Sequence, residues 1–152
     1  MRAPGFTPSL KGRALRCLSA REYSRAELTR KLAPHAESPE QLEQTLDELQ
    51  AKGFISEARV AESVLNRRST RLGAARIEQE LQAKGLAPEL VAQAMDKLKG
   101  TEPERAQQVW AKKFGQPAQD ANERAKQMRF LAARGFSAEV VRKVVPRVVA
   151  VQ

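Results

Sequence analysis

The chain has 152 residues, 41% hydrophobic and 30% charged, with 27 Lys and Arg against 18 Asp and Glu and a formal net charge of +9. That length serves one globular domain or a short repeat array, and no apolar run approaches the ~20 residues a membrane-spanning helix requires. A lone cysteine, Cys17, excludes an internal disulfide and reads as a buried, inert thiol in a reducing compartment.

Met1–Phe6 has no apolar h-region, so a secretory signal is not expected and the sequence reads as a soluble cytoplasmic protein. Aromatic residues are scarce: five Phe, Trp110 and Tyr23. The core must then come mainly from Leu, Val, Ala and Ile, with Trp110 inside it.

No stretch alternates with period two, whereas the 3.6-residue apolar pattern runs throughout. The first predicted helix is 9–21, with Leu10, Ala14 and Leu18 on its apolar stripe and Arg13 and Arg16 on another flank. Ser24 and Glu27 form a capping box for a helix over 25–33, with Tyr23 and Leu28 placed as its hydrophobic staple. Ser38-Pro39-Glu40-Gln41 opens 39–52, Pro39 standing where its missing N–H costs nothing. Helices follow at 57–71, 74–84 and 88–99. Thr101-Glu102-Pro103-Glu104 opens 102–114, and 119–134 and 138–149 complete the series.

Gly53, Gly85 and Gly135 supply the stops, each after a Leu-x-Ala-Lys/Arg run. Phe54, Leu86 and Phe136 are expected to fold back onto Leu49, Leu81 and Leu131. Ile55, Leu86 and Phe136 are placed to staple the next helix through Val60, Val91 and Val141. Tight corners result.

The apolar positions repeat. Leu15, Leu28, Leu32, Leu42, Leu46 and Leu49 return 49 residues later as Val64, Ile77, Leu81, Val91, Met95 and Leu98. The later part returns again 50 residues on, as Leu131, Val141, Val145 and Val148. This predicts an all-α fold of three tandem three-helix repeats, 9–54, 55–100 and 101–150, forming an elongated, curved helical array. Such arrays present long binding surfaces and no deep catalytic pocket. The third repeat matches poorly in its first half. The identical Leu-Gln-Ala-Lys-Gly at 49–53 and 81–85 is offset by 32, so it marks shared stop chemistry.

Enzyme signatures are missing. His35 is the sole histidine, so no His/Cys metal set and no histidine-based triad can assemble, and no phosphate-binding glycine loop occurs. Catalytic residues, metals and cofactors are therefore not expected. Glu40, Glu43 and Asp47, at helical spacing, read as a solvated face.

Charge is concentrated in patches. Residues 1–31 carry net +6 and residues 32–50 net −5, while 51–100 and 101–152 carry +3 and +5. Basic patches attract polyanions or acidic protein surfaces. The candidate contact residues are Arg21, Arg25, Arg30 and Lys31 in the first repeat, and Arg67, Arg68, Arg71 and Arg76 in the second. Cations near a helix C-terminus can simply complement its dipole, worth ~0.3–1 kcal/mol each. Three arginines within five residues repel one another, however, and point to an anionic partner. Lys112, Lys113, Arg124, Lys126 and Arg129 are more scattered.

The segments Arg21-Glu22-Tyr23-Ser24-Arg25-Ala26-Glu27-Leu28-Thr29-Arg30-Lys31-Leu32 and Gly53-Phe54-Ile55-Ser56-Glu57-Ala58-Arg59-Val60-Ala61 resemble the bacterial RecX regulators of the RecA recombinase. Arg67-Arg68, Gly73-Ala74-Ala75-Arg76-Ile77 and Leu81-Gln82-Ala83-Lys84-Gly85 extend the likeness. The Ala36-Glu37-Ser38 link, without the usual Lys-Gly, departs from it. The resemblance implies a non-enzymatic modulator, chiefly an inhibitor, that lodges in the groove of the RecA–DNA filament and bears on recombination, DNA repair and the SOS response. It implies RecA as partner, with single- and double-stranded DNA bound without sequence specificity by a monomer. The alternative is a direct DNA-binding protein using helix-turn-helix-like modules. Against it, 74–84 offers Arg76 and Gln79 to DNA but also Glu78 and Glu80.

Overall fold

The computed structural model describes residues 7–148. Met1–Phe6, read above as lacking a leader, and the end of the third repeat at 150 lie outside the described residues. Among those residues there are nine α-helices, one 3-10 turn and no strand. The helices are α1 (Leu10–Ala20), α2 (Arg25–Leu32), α3 (Pro39–Ala51), α4 (Glu57–Arg68), α5 (Ala74–Ala83), α6 (Pro88–Lys99), α7 (Glu102–Lys113), α8 (Ala121–Ala133) and α9 (Ala138–Val144). No described helix is long and apolar enough to cross a membrane.

The ends form by the expected chemistry. Ser24 Oγ accepts from the Glu27 N–H while Glu27 Oε1 accepts from the Ser24 N–H, closing the capping box. Gly53 and Gly135, at φ +83° and +97°, end α3 and α8. At both, the glycine N–H donates two residues inside the helix end and the next N–H donates to Leu49 or Leu131, which satisfies the last carbonyls.

Several ends depart from expectation. Helix α9 stops at Val144, five residues short, because Val145 precedes Pro146 and takes an extended ψ of 118°. Val148 is consequently half-buried beyond the helix. Helix α4 ends at Arg68, and the Arg71 and Leu72 N–H groups both donate back to the Arg68 carbonyl in a turn. Thr101 does not cap α7; its Oγ1 donates to the Leu98 carbonyl. Asp120, unremarked in the sequence, caps α8 by accepting from the Glu123 N–H at 2.8 Å. His35 lies in a 3-10 turn, Ala33–His35.

The chain packs as two compact units, one reaching Val60 and including Lys84–Leu86, the other holding Ala61–Ala83 and the residues from Ala87 on. The core of the first joins Leu10, Ala14, Tyr23, Leu28, Leu32, Leu42, Leu46, Leu49 and Ile55. Each buried leucine contributes roughly 1.5–3 kcal/mol. Leu15, Leu18 and Cys17 are only partly buried against it, so the thiol is less enclosed than expected. Phe54 also differs. It is 46% exposed, and Ile55, at 2%, takes the inward position. Arg59 secures this corner by donating to the Gly53 carbonyl at 2.6 Å and to Glu22 at 2.8 Å.

In the second unit Ala106, Trp110, Leu131, Phe136, Val141, Val144 and Val145 form one core cluster. Trp110 is inside, as expected, and its indole N–H donates to Gln127 at 2.9 Å. Arg105, half-buried, donates to the carbonyls of Ser69, Leu72 and Leu98 and so satisfies two helix ends with one guanidinium. Burial pulls its pKa below the ordinary arginine value, against the neighbouring Glu102.

One joint occurs in each unit at equivalent places. In the first, the fully buried Ser24 donates through Oγ to the Lys84 carbonyl at 2.6 Å. A Cβ on Gly85 would stand 2.7 Å from that of Ala26. In the second, the Gly73 N–H donates to the Arg134 carbonyl at 2.7 Å, and the Ala75 N–H to the Gly135 carbonyl at 3.2 Å. A Cβ on Gly135 would lie 2.6 Å from the Arg76 nitrogen, and one on Gly73 would collide with the Gly135 and Phe136 backbone. At Gly73 backbone meets backbone, and no side chain can give way.

Gly73→Ala is therefore expected to lower unfolding stability by at least ~2 kcal/mol. Gly100→Ala, at φ −73° with open space around its Cβ, should be neutral or stabilising by up to ~1 kcal/mol. Urea midpoints of the two variants check the contrast.

Candidate anion-binding cleft

The end of α4, the start of α5 and the end of α8 enclose a cleft of about 480 Å³ in the second unit. Arg68, Arg71, Arg76 and Arg134 line it, with Gln79 and a single carboxylate, Glu80. Each element has a local reason for placing its arginine there. The early end of α4 leaves Arg71 in the turn. Arg76 lies in the first turn of α5, and its guanidinium donates to the Ala133 carbonyl at 2.8 Å, at the C-terminus of α8. Arg134 follows that helix immediately, before Gly135 turns the chain.

The lone carboxylate is already engaged. Arg68 Nε lies 3.0 Å from Glu80, and Arg67 reaches it at 3.9 Å. Both glutamate neighbours are cations, so Glu80 offsets Arg68, while Arg71, Arg76 and Arg134 line the cleft without a carboxylate partner, Arg76 held by the Ala133 carbonyl and Arg134 lying over the Phe130 ring. Guanidinium groups carry five donors in a planar fork, which suits phosphate or carboxylate oxygens. Several positive charges around one cleft disfavour the empty state and favour an anion.

The first-repeat candidates behave differently. Arg21 stacks 3.6 Å from the centroid of Tyr23 and pairs with Glu27 at 3.1 Å. Arg25 pairs with Asp47 at 2.6 Å and donates to Gln50 at 2.8 Å, clamping α2 to α3. These two arginines are held by their own unit. Arg30 and Lys31 are exposed at the end of α2, with the Lys31 ammonium 5.7 Å from the Tyr23 ring.

Glu27 organises this cluster. Its carboxylate takes the Ser24 N–H, Arg21 and Lys84 together, the last pair at 3.1 Å with both side chains largely buried. Burial opposes its ionisation, but the Ser24 N–H and the two cations outweigh that and hold its pKa at about 2.

Sequence reasoning missed Arg134, which reads as part of a helix stop. The available signal was positional, since Arg134 stands 50 residues after Lys84, before the equivalent glycine. Among the described residues no group of three or more His, Cys, Asp or Glu could hold a metal ion.

The chain matches three family models in order: the first three-helix domain of RecX over residues 11–49, the second over 56–95 and the third over 101–145. It is 58% identical over 136 residues to the Regulatory protein RecX of Leptothrix cholodnii, covering 90% of this chain and 87% of that one. Against the Regulatory protein RecX of Ralstonia nicotianae the identity is 48% over 145 residues, covering 95% and 91%. The crystal structure of RecX from Lactobacillus salivarius aligns with a TM-score of 0.75 at 19% identity, over 89% of this chain and 91% of that one. At that identity the likeness speaks to the fold.

A carboxyl held at about 2 when folded, against an ordinary 4.5, stabilises the protein fully above about pH 4.5. That contribution is lost as the pH falls through about 2. The native chain should therefore lose on the order of 2–3 kcal/mol more than Glu27→Gln across this acid window, read from urea unfolding at stepped pH.

Proposed function

The chain belongs to the RecX family, and on that premise we propose that it regulates the RecA recombinase without being an enzyme, binding the RecA filament on DNA and chiefly opposing it. The reading carries with it recombination, DNA repair and the SOS response as the setting, the cytoplasm as the place and a monomer as the working form. The organisation the reading assigns to it is three tandem repeats, 9–54, 55–100 and 101–150.

The observation that carries the reading is the arginine cleft of the second unit, where Arg68, Arg71, Arg76 and Arg134 meet one already paired carboxylate. A filament of protein on DNA offers a regular row of phosphates and acidic side chains. Arg71 and Arg76 are exposed and can take such oxygens in bidentate fashion. Contacts of this kind read charge and spacing, not base sequence, so binding is insensitive to DNA sequence and weakens with salt. Held against the filament, the protein resists the movements that extension and strand exchange require. Of the candidates in the first unit, Lys31, exposed at the end of α2, is assigned to contact, and Arg21 and Arg25 to holding that unit together.

One observation favours direct DNA binding: pairing with Arg68 removes the repulsion Glu80 would exert on phosphate. Affinity for bare DNA equal to that for filaments, with RecA ATPase unaffected, selects that alternative.

The test follows RecA assembly on dye-labelled single-stranded DNA. The native protein should slow assembly or speed disassembly, and Arg71→Glu with Arg76→Glu should raise the concentration needed by ~10-fold or more, at unchanged helicity. Arg71→Glu alone should give a smaller shift in the same direction. Assembly indifferent to the native protein, or the double variant acting at full strength, contradicts the proposal.

A further inference from the structure

A second cleft, of about 590 Å³, opens in the same unit, and no carboxylate lines it. Arg71, Lys112, Lys113 and Arg134 supply its charge, while Val109 and Phe130 supply an apolar side. Both apolar residues are half-buried and packed against the second core, so this side is anchored. The volume falls within the ~300–1,000 Å³ range of ligand-sized recesses.

The chemistry discriminates between two kinds of anionic partner. Single-stranded nucleic acid is usually gripped by stacking bases on open aromatic faces. The Phe130 ring is not open in that way. The Arg134 guanidinium lies 4.7 Å from its centroid, the Lys113 ammonium lies 5.4 Å away, and Phe114 meets it edge-on at 5.4 Å. Two cations over the ring leave no bare platform. They are instead fixed around an apolar recess, which complements a large apolar side chain flanked by carboxylates.

We propose that this cleft docks an acidic segment of a protein partner, seating one large apolar side chain against Val109, beside the cation-covered Phe130 ring, and pairing the flanking carboxylates with Arg134, Lys112 and Lys113. The assignment goes beyond the regulator reading and does not rest on it, because the test below contains neither RecA nor a filament.

The experiment measures fluorescence anisotropy of the full chain with a labelled peptide of four aspartates followed by one phenylalanine. The comparison probe has alanine in place of the phenylalanine. The phenylalanine peptide should bind ~10-fold tighter at equal charge. Lys112→Glu with Lys113→Glu, both exposed positions, should abolish binding of both peptides. Val109→Glu should erase the preference for phenylalanine. Because Val109 touches the core, the milder Val109→Ala accompanies it and should shrink the preference at unchanged helicity. Equal affinity for the two peptides overturns the proposal. So does an unlabelled oligothymidylate of matching charge displacing the peptide better than the unlabelled peptide does, an outcome that assigns the cleft to nucleic acid.

Discussion

Close approach at two glycine corners, of Gly135 to the Gly73 backbone and of Gly85 to the Ala26 Cβ, constrains the packing on which the rest of this fold depends. Gly135 lies against Gly73 and Arg76, and Gly85 against Ala26, at distances a Cβ could not tolerate. Each corner is reached by a hydrogen bond from the residue opening a second helix, Ser24 in one unit and Gly73 in the other, to the carbonyl just before the glycine. Buried N–H and hydroxyl groups must find partners, so these bonds fix register as well as stability. The same corner that brings Gly135 onto Gly73 places Arg134 and Arg76 in the lining of one cleft. Packing and charge display are thus one arrangement.

The basic side chains divide into two kinds once their surroundings are known. Some act inward: Arg25 on Asp47, Arg59 on Glu22 and the Gly53 carbonyl, Arg105 on three helix-end carbonyls. The exposed pairs contribute little each, whereas the half-buried Arg105, with charge-assisted bonds to three carbonyls, would be strongly missed. Others gather at the arginine cleft with a single carboxylate among them, where Arg68 is paired with Glu80 and Arg76 bonded to the Ala133 carbonyl. A net charge of +9 therefore overstates how many cations await a partner. Their placement decides what the surface can bind.

Much of the fold was legible because its signals are local. Capping boxes, Pro39 at a first helical turn and glycine stops depend on neighbours within about four residues. The early end of α9 was legible too, since Pro146 restricts Val145, but the apolar run of valines masked it. What failed was non-local. Nothing near Arg25 announces that Asp47 and Gln50 will reach it across two helices. Nothing in Phe54-Ile55 says which of two adjacent apolar residues turns inward, because the corner geometry chooses Ile55. The Arg67–Arg71 cluster was visible by density alone, whereas Arg134 joins it only through the joint with Gly73. Its position, repeated from Lys84, was there to be read as a joint between helices, since its carbonyl accepts the Gly73 N–H as that of Lys84 accepts the Ser24 hydroxyl.

The most direct test of the arginine cleft as the contact surface is chemical footprinting of the guanidinium groups with phenylglyoxal, read by mass spectrometry. The reaction is run on the free protein and on protein saturated with RecA filament on single-stranded DNA. The account predicts that Arg71, Arg76 and Arg134 become protected together, while Arg25, already paired with Asp47, reacts equally slowly in both states. If those three arginines react as fast with filament bound as without it, the cleft is not the contact and the account is wrong.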